Sequence, residues 1–101
     1  MKKLFLIHCG FYDAQFADET LSATYESHVN FFIAADDLEH ARLVARDRPD
    51  FIAKRMHVDG IQEVQAVGGY RLHLEVDSAL EGRTVVLSNR NRELAPKKAA
   101  E

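Results

Sequence analysis

Lys54-Arg-Met-His-Val-Asp-Gly-Ile-Gln-Glu-Val-Gln-Ala-Val-Gly-Gly-Tyr-Arg-Leu-His-Leu-Glu75 reads as a β-hairpin entered through a His-x-Asp pair. Gly68-Gly69 separates two runs of strand formers, and tight hairpin turns need the positive φ that glycine adopts without strain. Two registers compete. A two-residue turn pairs Val67 with Tyr70, Gln65 with Leu72 and Glu63 with Leu74, which mixes polar and apolar groups on one face. A three-residue loop, Val67-Gly68-Gly69, gathers Val64, Ala66, Tyr70, Leu72 and Leu74 on one face. The second sorts the faces better and is the expectation. It sets Glu63 opposite His73 and Gln65 opposite Arg71.

Upstream, His28-Val-Asn-Phe-Phe-Ile-Ala34 alternates as a strand, with Val29, Phe31 and Ile33 on one face and His28, Asn30, Phe32 and Ala34 on the other. Asp36, with Glu39 three residues on, has the capping-box spacing. A helix is expected from about Asp37 to Asp47, with Leu38, Ala41, Val44 and Ala45 as its apolar stripe. Pro49 pushes Arg48 out of the helical region and ends it. Phe51 and Ile52 then anchor a short turn back to the sheet. Leu4-Phe-Leu-Ile-His-Cys9, closed by Gly10, is a first strand with apolar residues at both parities. Arg83 to Ser88 is a candidate fifth, edge strand, and residues 89–101 read as a solvated tail beyond a single domain at 1–88. The expected architecture is α+β: a mainly antiparallel sheet of four or five strands, order β-loop-β-α-β-β, with one helix packed on one face.

Bulk composition narrows the function. The chain has 101 residues, one domain's worth, and a net charge of −3 with Lys and Arg interspersed among acids. That balance lacks the basic patch that drives nucleic-acid binding, so no nucleic-acid partner is expected. Cys9 is the only cysteine, which forbids an internal disulfide and suits a reducing compartment. The apolar run before His8 is too short for a secretory signal, and no stretch approaches membrane-spanning length. The expectation is a cytoplasmic protein with no membrane partner.

Taken together, these segments resemble a bacterial family catalogued as domain of unknown function 1543. The residues that carry the resemblance are Gly10, Glu26, His28, Val29, Phe31, Phe32, His57, Val58, Asp59, Glu63, Val64, Val67, Gly69 and Tyr70. It spans about Leu4 to Val76. The family often has a double glycine where this chain has Cys9-Gly10, and a Trp where it has Ile61. The segment from Phe11 to Tyr25 is not recognisable as the family's, shows no clean period, and is expected to lie on the domain or on a partner. The resemblance implies a fold and assigns no activity, cofactor or ligand.

Glu26-x-His28 and His57-x-Asp59 each place two polar side chains on the same side of an extended segment. Should the segments meet, Glu26, His28, His57 and Asp59 make a mixed nitrogen and oxygen ligand set for a divalent metal, or a His–Asp general base. The structural alternative has both histidines at strand ends, bonded to carboxylates or loop carbonyls. His73 and Glu75 suit an ordinary outer face, His40 a solvated helix position, His8 a partly buried strand position, and Cys9 burial as a small apolar side chain. The leading functional reading is a non-catalytic oligomeric interaction or small-ligand-binding module. The alternative is an enzyme or metal-binding protein centred on Glu26, His28, His57 and Asp59. A homodimer is expected, because one helix covers one sheet face while Leu4, Phe5, Leu6, Ile7, Phe31, Phe32 and Ile33 require cover on both.

Overall fold

The computed structural model describes residues 1–12 and 26–89. It is α+β, with a mainly antiparallel sheet and a helix on one face. Three long strands form that sheet: β1 (Lys3–Tyr12), β2 (Glu26–Ala35) and β3 (His57–Val64), in the order β2-β1-β3. Two helices, α1 (Leu38–Arg46) and α2 (Pro49–Ala53), link β2 to β3. Both flanking strands run antiparallel to β1 and so parallel to each other, which is why their connection is a helical crossover rather than a turn. Of the segment Phe11–Tyr25, expected to lie on the domain or on a partner, Phe11 and Tyr12 belong to β1, and residues 13–25 fall outside the described residues, as does the tail from position 90.

Alternation along β1 builds the core. Phe5, Ile7 and Cys9 are fully buried beneath the helices and meet Phe31, Ile33 and Ala35 of β2. The helix contributes small side chains: Ala41 and Ala45 are its buried residues, while Leu38 and Val44, expected in the stripe, are partly or largely exposed. Two alanines four apart let the helix lie close to the sheet, so its longer residues flank the contact and reach water. Phe51 of α2 and Met56 complete the layer. β3 fits its apolar residues to this core through a bulge. Val58 pairs with Cys9 and Gly60 with His8, so Asp59 is an extra residue and the two-residue period slips by one. Without that slip Ile61, three residues after Val58, would face away from the core it packs against.

Caps terminate the helices, with one change from the sequence reading. Asp37, not Asp36, is the N-cap of α1, and its Oδ1 accepts from the His40 N–H at 2.7 Å. Asp36 instead binds Lys2 at 2.9 Å, and that hydrogen bond holds its carboxyl below the ordinary range. His40 takes part as well, its Nδ1 accepting from the Asp36 N–H. Pro49 both stops α1 and starts α2, because a proline at the first helical position loses no hydrogen bond there. Arg48 is extended ahead of it; its guanidinium lies 3.9 Å from the Phe31 ring centroid and bonds Asp50.

α2 ends in a Schellman motif. The Met56 N–H reaches the Phe51 carbonyl at 3.0 Å, the Arg55 N–H reaches the Ile52 carbonyl at 3.2 Å, and Phe51 and Met56 are buried together. The motif needs a left-handed residue, and Arg55 supplies it at φ 51°, a conformation glycine adopts more cheaply. Arg55→Gly is therefore expected to stabilise the fold by roughly 0.5–1 kcal/mol, visible as a raised urea midpoint with an unchanged slope.

The hairpin takes the register the face-sorting rule rejects. β4 (Ala66–Val67) pairs with β5 (Tyr70–Arg71) as Val67↔Tyr70 and Ala66↔Arg71, around a two-residue turn with Gly68 at φ 58° and Gly69 at φ 87°. Positive φ at both central residues matches the twist of flanking strands. Sorting the faces would matter if the hairpin packed on the core, but it forms its own two-stranded ladder and its side chains are exposed. His73 therefore does not sit opposite Glu63. Arg83–Ser88 forms no strand, so among the described residues the sheets hold three and two strands. Among the described residues, no helix is long and apolar enough to cross a membrane.

Candidate functional site

One face of the sheet carries the helices; the other carries the polar cluster. On β1 the uncovered parity is Leu4, Leu6, His8, Gly10 and Tyr12. Gly10 pairs with His28 on one side and His57 on the other, while Glu26 lies opposite Tyr12. The i, i+2 spacing keeps Glu26 with His28 and His57 with Asp59, and the bulge carries Asp59 inward above the central strand. The structure thus brings together all four residues named from sequence.

Their polar atoms converge. His57 Nε2 lies 2.9 Å from Glu26 Oε1 and 3.1 Å from Asp59 Oδ1. His28 Nδ1 lies 3.5 Å from Asp59 Oδ2. A neutral or protonated imidazole carries at most one hydrogen on Nε2, so that atom cannot fully bond both carboxylates at once. The two acids thus have more acceptor capacity at this point than His57 can fill. Among the described residues, the only ion pairs of Glu26 and Asp59 are with these histidines, so no Lys or Arg neutralises them.

Gly10 is the floor on which the cluster meets. A Cβ added there would sit 2.5 Å from Glu26 Oε1, 2.7 Å from His57 Nε2 and 2.8 Å from Asp59 Oδ2. The absence of a side chain on the middle strand is what lets flanking side chains lean in over it. Reading Gly10 as the end of a strand missed this role. The signal was its place on the opposite parity from Phe5, Ile7 and Cys9.

His8 also belongs to the site. Its ring stacks on His28 with centroids 4.9 Å apart and 11° between planes. His8 Nδ1 donates to Asn30 Oδ1 at 2.8 Å, which fixes the tautomer and leaves Nε2 bare. Two triads of potential ligand atoms result, Glu26–His57–Asp59 and His8–His28–Asp59, each with its atoms within 4.8 Å of one another. Tyr12 approaches from one end, its ring centroid 6.2 Å from that of His57. A shallow depression lined by Leu6, His8, Asn30, Gly60 and Gln62 adjoins the cluster.

Cys9 faces the other way. It is fully buried among apolar side chains, and burial, followed by the Asp59 charge, pushes its thiol above the ordinary range. Such a thiol is a packing residue rather than a nucleophile. His73 and Glu75 lie outside the cluster, exposed on the segment beyond the hairpin. No family model, curated protein or solved structure matches the chain.

Proposed function

We propose that this protein is a divalent-cation-binding module whose ion sits over Gly10, held by Glu26, His57 and Asp59, with His28 outside that shell, its Nδ1 3.5 Å from Asp59 Oδ2. The carrying observation is the convergence of Oε1, Nε2 and Oδ2 on the one point where the central strand has no side chain. Bonds of about 2.1 Å at right or tetrahedral angles place neighbouring donors roughly 3.0–3.4 Å apart. The separations of 2.9 and 3.1 Å around His57 Nε2 lie close to that spacing.

Mixed imidazole and carboxylate ligands favour zinc and neighbouring first-row ions over calcium or magnesium. A divalent ion also removes the mismatch of two carboxylates competing for one imidazole hydrogen. We read the site as binding rather than catalytic, because no activated nucleophile stands at the cluster among the described residues and the Cys9 thiol points into the core. Five of the residues that carry the resemblance to family 1543, namely Gly10, Glu26, His28, His57 and Asp59, are the ones that meet here. Membership of that family and a cytoplasmic location belong to the same proposal.

Equilibrium dialysis of tag-free protein against zinc, cobalt and manganese tests it. The expected result is saturable binding of zinc and cobalt that weakens as pH falls, since protons compete for an imidazole ligand. Removing one ligand with Glu26→Gln should weaken binding by at least about 100-fold, the upper end of what even outer-shell changes cost. Equal affinity in wild type and Glu26→Gln would remove the cluster from any role in binding.

A further inference from the structure

The chain carries an apolar segment and an apolar sheet face that do not cover each other. From Gln65 to Asn89 every residue is exposed except Leu72 and Leu74, which are half-buried. Leu74 lies by Ala34, at the end of the open sheet face, and the chain then leaves the domain. Val76, Val85, Val86 and Leu87 follow, with 93%, 66%, 62% and 89% of their surfaces in water. This is not a formless stretch. Asp77 caps the 3-10 turn Ser78–Leu80 through Oδ1 and the Ala79 N–H, and the Arg83 N–H closes onto the Leu80 carbonyl at 2.9 Å. Gly82 supplies the left-handed residue in between. Local bonds therefore shape an arm that buries almost nothing on its own protomer.

The open face is its complement. Away from the His and carboxylate end, that face presents Leu4, Leu6, Phe32 and Ala34, and Phe32 is half in water.

We propose that residues Val76–Asn89 form a dimerisation arm that lies on the Leu6–Phe32 half of the open face in a second copy of this chain, reciprocally. A second copy is the occupant favoured because arm and face occur on the same chain. One two-fold operation then covers both surfaces twice and leaves neither unpaired. Each side would contribute the arm, residues 76–89, together with Leu4, Leu6, Phe32 and Ala34 of the face, close to the roughly 20–30 residues a side that stable interfaces use. The cation cluster, at the other end of the same face, would lie beside the interface.

Light scattering of the full-length, tag-free chain at low micromolar concentration should give twice the 11.4 kDa chain mass. Val85→Asp combined with Leu87→Asp should halve that mass and leave the circular dichroism spectrum unchanged, since neither side chain supports the protomer. Leu43→Asp, on the exposed side of α1, should leave the dimer intact. Mixing Phe32→Cys chains with Val85→Cys chains should yield a mixed disulfide joining the two. A wild-type mass of one chain overturns the proposal. So does a dimer that survives the double substitution, or failure of the mixed disulfide to form while the wild type is dimeric.

Discussion

Gly10→Ala is expected to leave the fold standing while weakening cation binding by at least about 100-fold, a loss of the size expected when a ligand set is disturbed. A Cβ at this position meets Glu26, His57 and Asp59 at 2.5–2.8 Å. All three are terminal atoms of side chains that can rotate away, so the strand need not move. Gly10 is not among the residues with positive φ, so alanine suits its backbone, and the strand gains roughly 0.5–1 kcal/mol from the stiffer residue. The variant thus separates site from scaffold: a urea midpoint at or above wild type, together with lost zinc binding in dialysis. Retained affinity would mean that the three side chains do not meet over Gly10 in solution.

Phe5→Ala should have the largest effect on stability. Phe5 is fully buried at the centre of the single layer between sheet and helix. Truncating a buried phenylalanine costs about 3–5 kcal/mol in lost transfer energy and residual cavity. Domains of this size have on the order of 5–15 kcal/mol in total, so most of the margin goes and the urea midpoint falls steeply. Phe32, opposite Leu6 on the uncovered face and half exposed, is the contrast. In the Val85→Asp/Leu87→Asp background, where no partner covers it, Phe32→Ala should cost under about 1 kcal/mol, as exposed positions do. Similar losses for both would contradict the assignment of one covered and one open face.

Alternation made the strands legible. Val29, Phe31 and Ile33 share the helix-side face of β2 as their spacing implies, and His28, Asn30, Phe32 and Ala34 share the other. The helix was legible from its capping signals, but the capping-box spacing points to Asp36, one residue before the cap the structure uses. Asp37 takes it because Lys2 draws Asp36 away, a contact between positions 34 residues apart that no local pattern encodes. The hairpin register was misjudged for a related reason. Grouping Val64, Ala66, Tyr70, Leu72 and Leu74 assumes a core for them to face, whereas the hairpin stands clear of the core and turn geometry alone sets the pairing.

The site was half legible. Glu26-x-His28 and His57-x-Asp59 point to one face each by spacing, but their meeting depends on β2 and β3 flanking β1, which is a matter of topology. Gly10 and His8 enter only once β1 is known to be the middle strand. The bulge at Asp59 was hidden in the three-residue spacing of Val58 and Ile61, which breaks strict alternation.

X-ray absorption of tag-free protein loaded with one equivalent of zinc bears most directly on the cation site. The expected spectrum has a first shell of nitrogen and oxygen at about 2.0–2.1 Å, with the outer-shell scattering of at least one imidazole, lost in His57→Ala. A shell of water oxygens alone, or a sulfur ligand near 2.3 Å, would contradict an ion held over Gly10 by Glu26, His57 and Asp59.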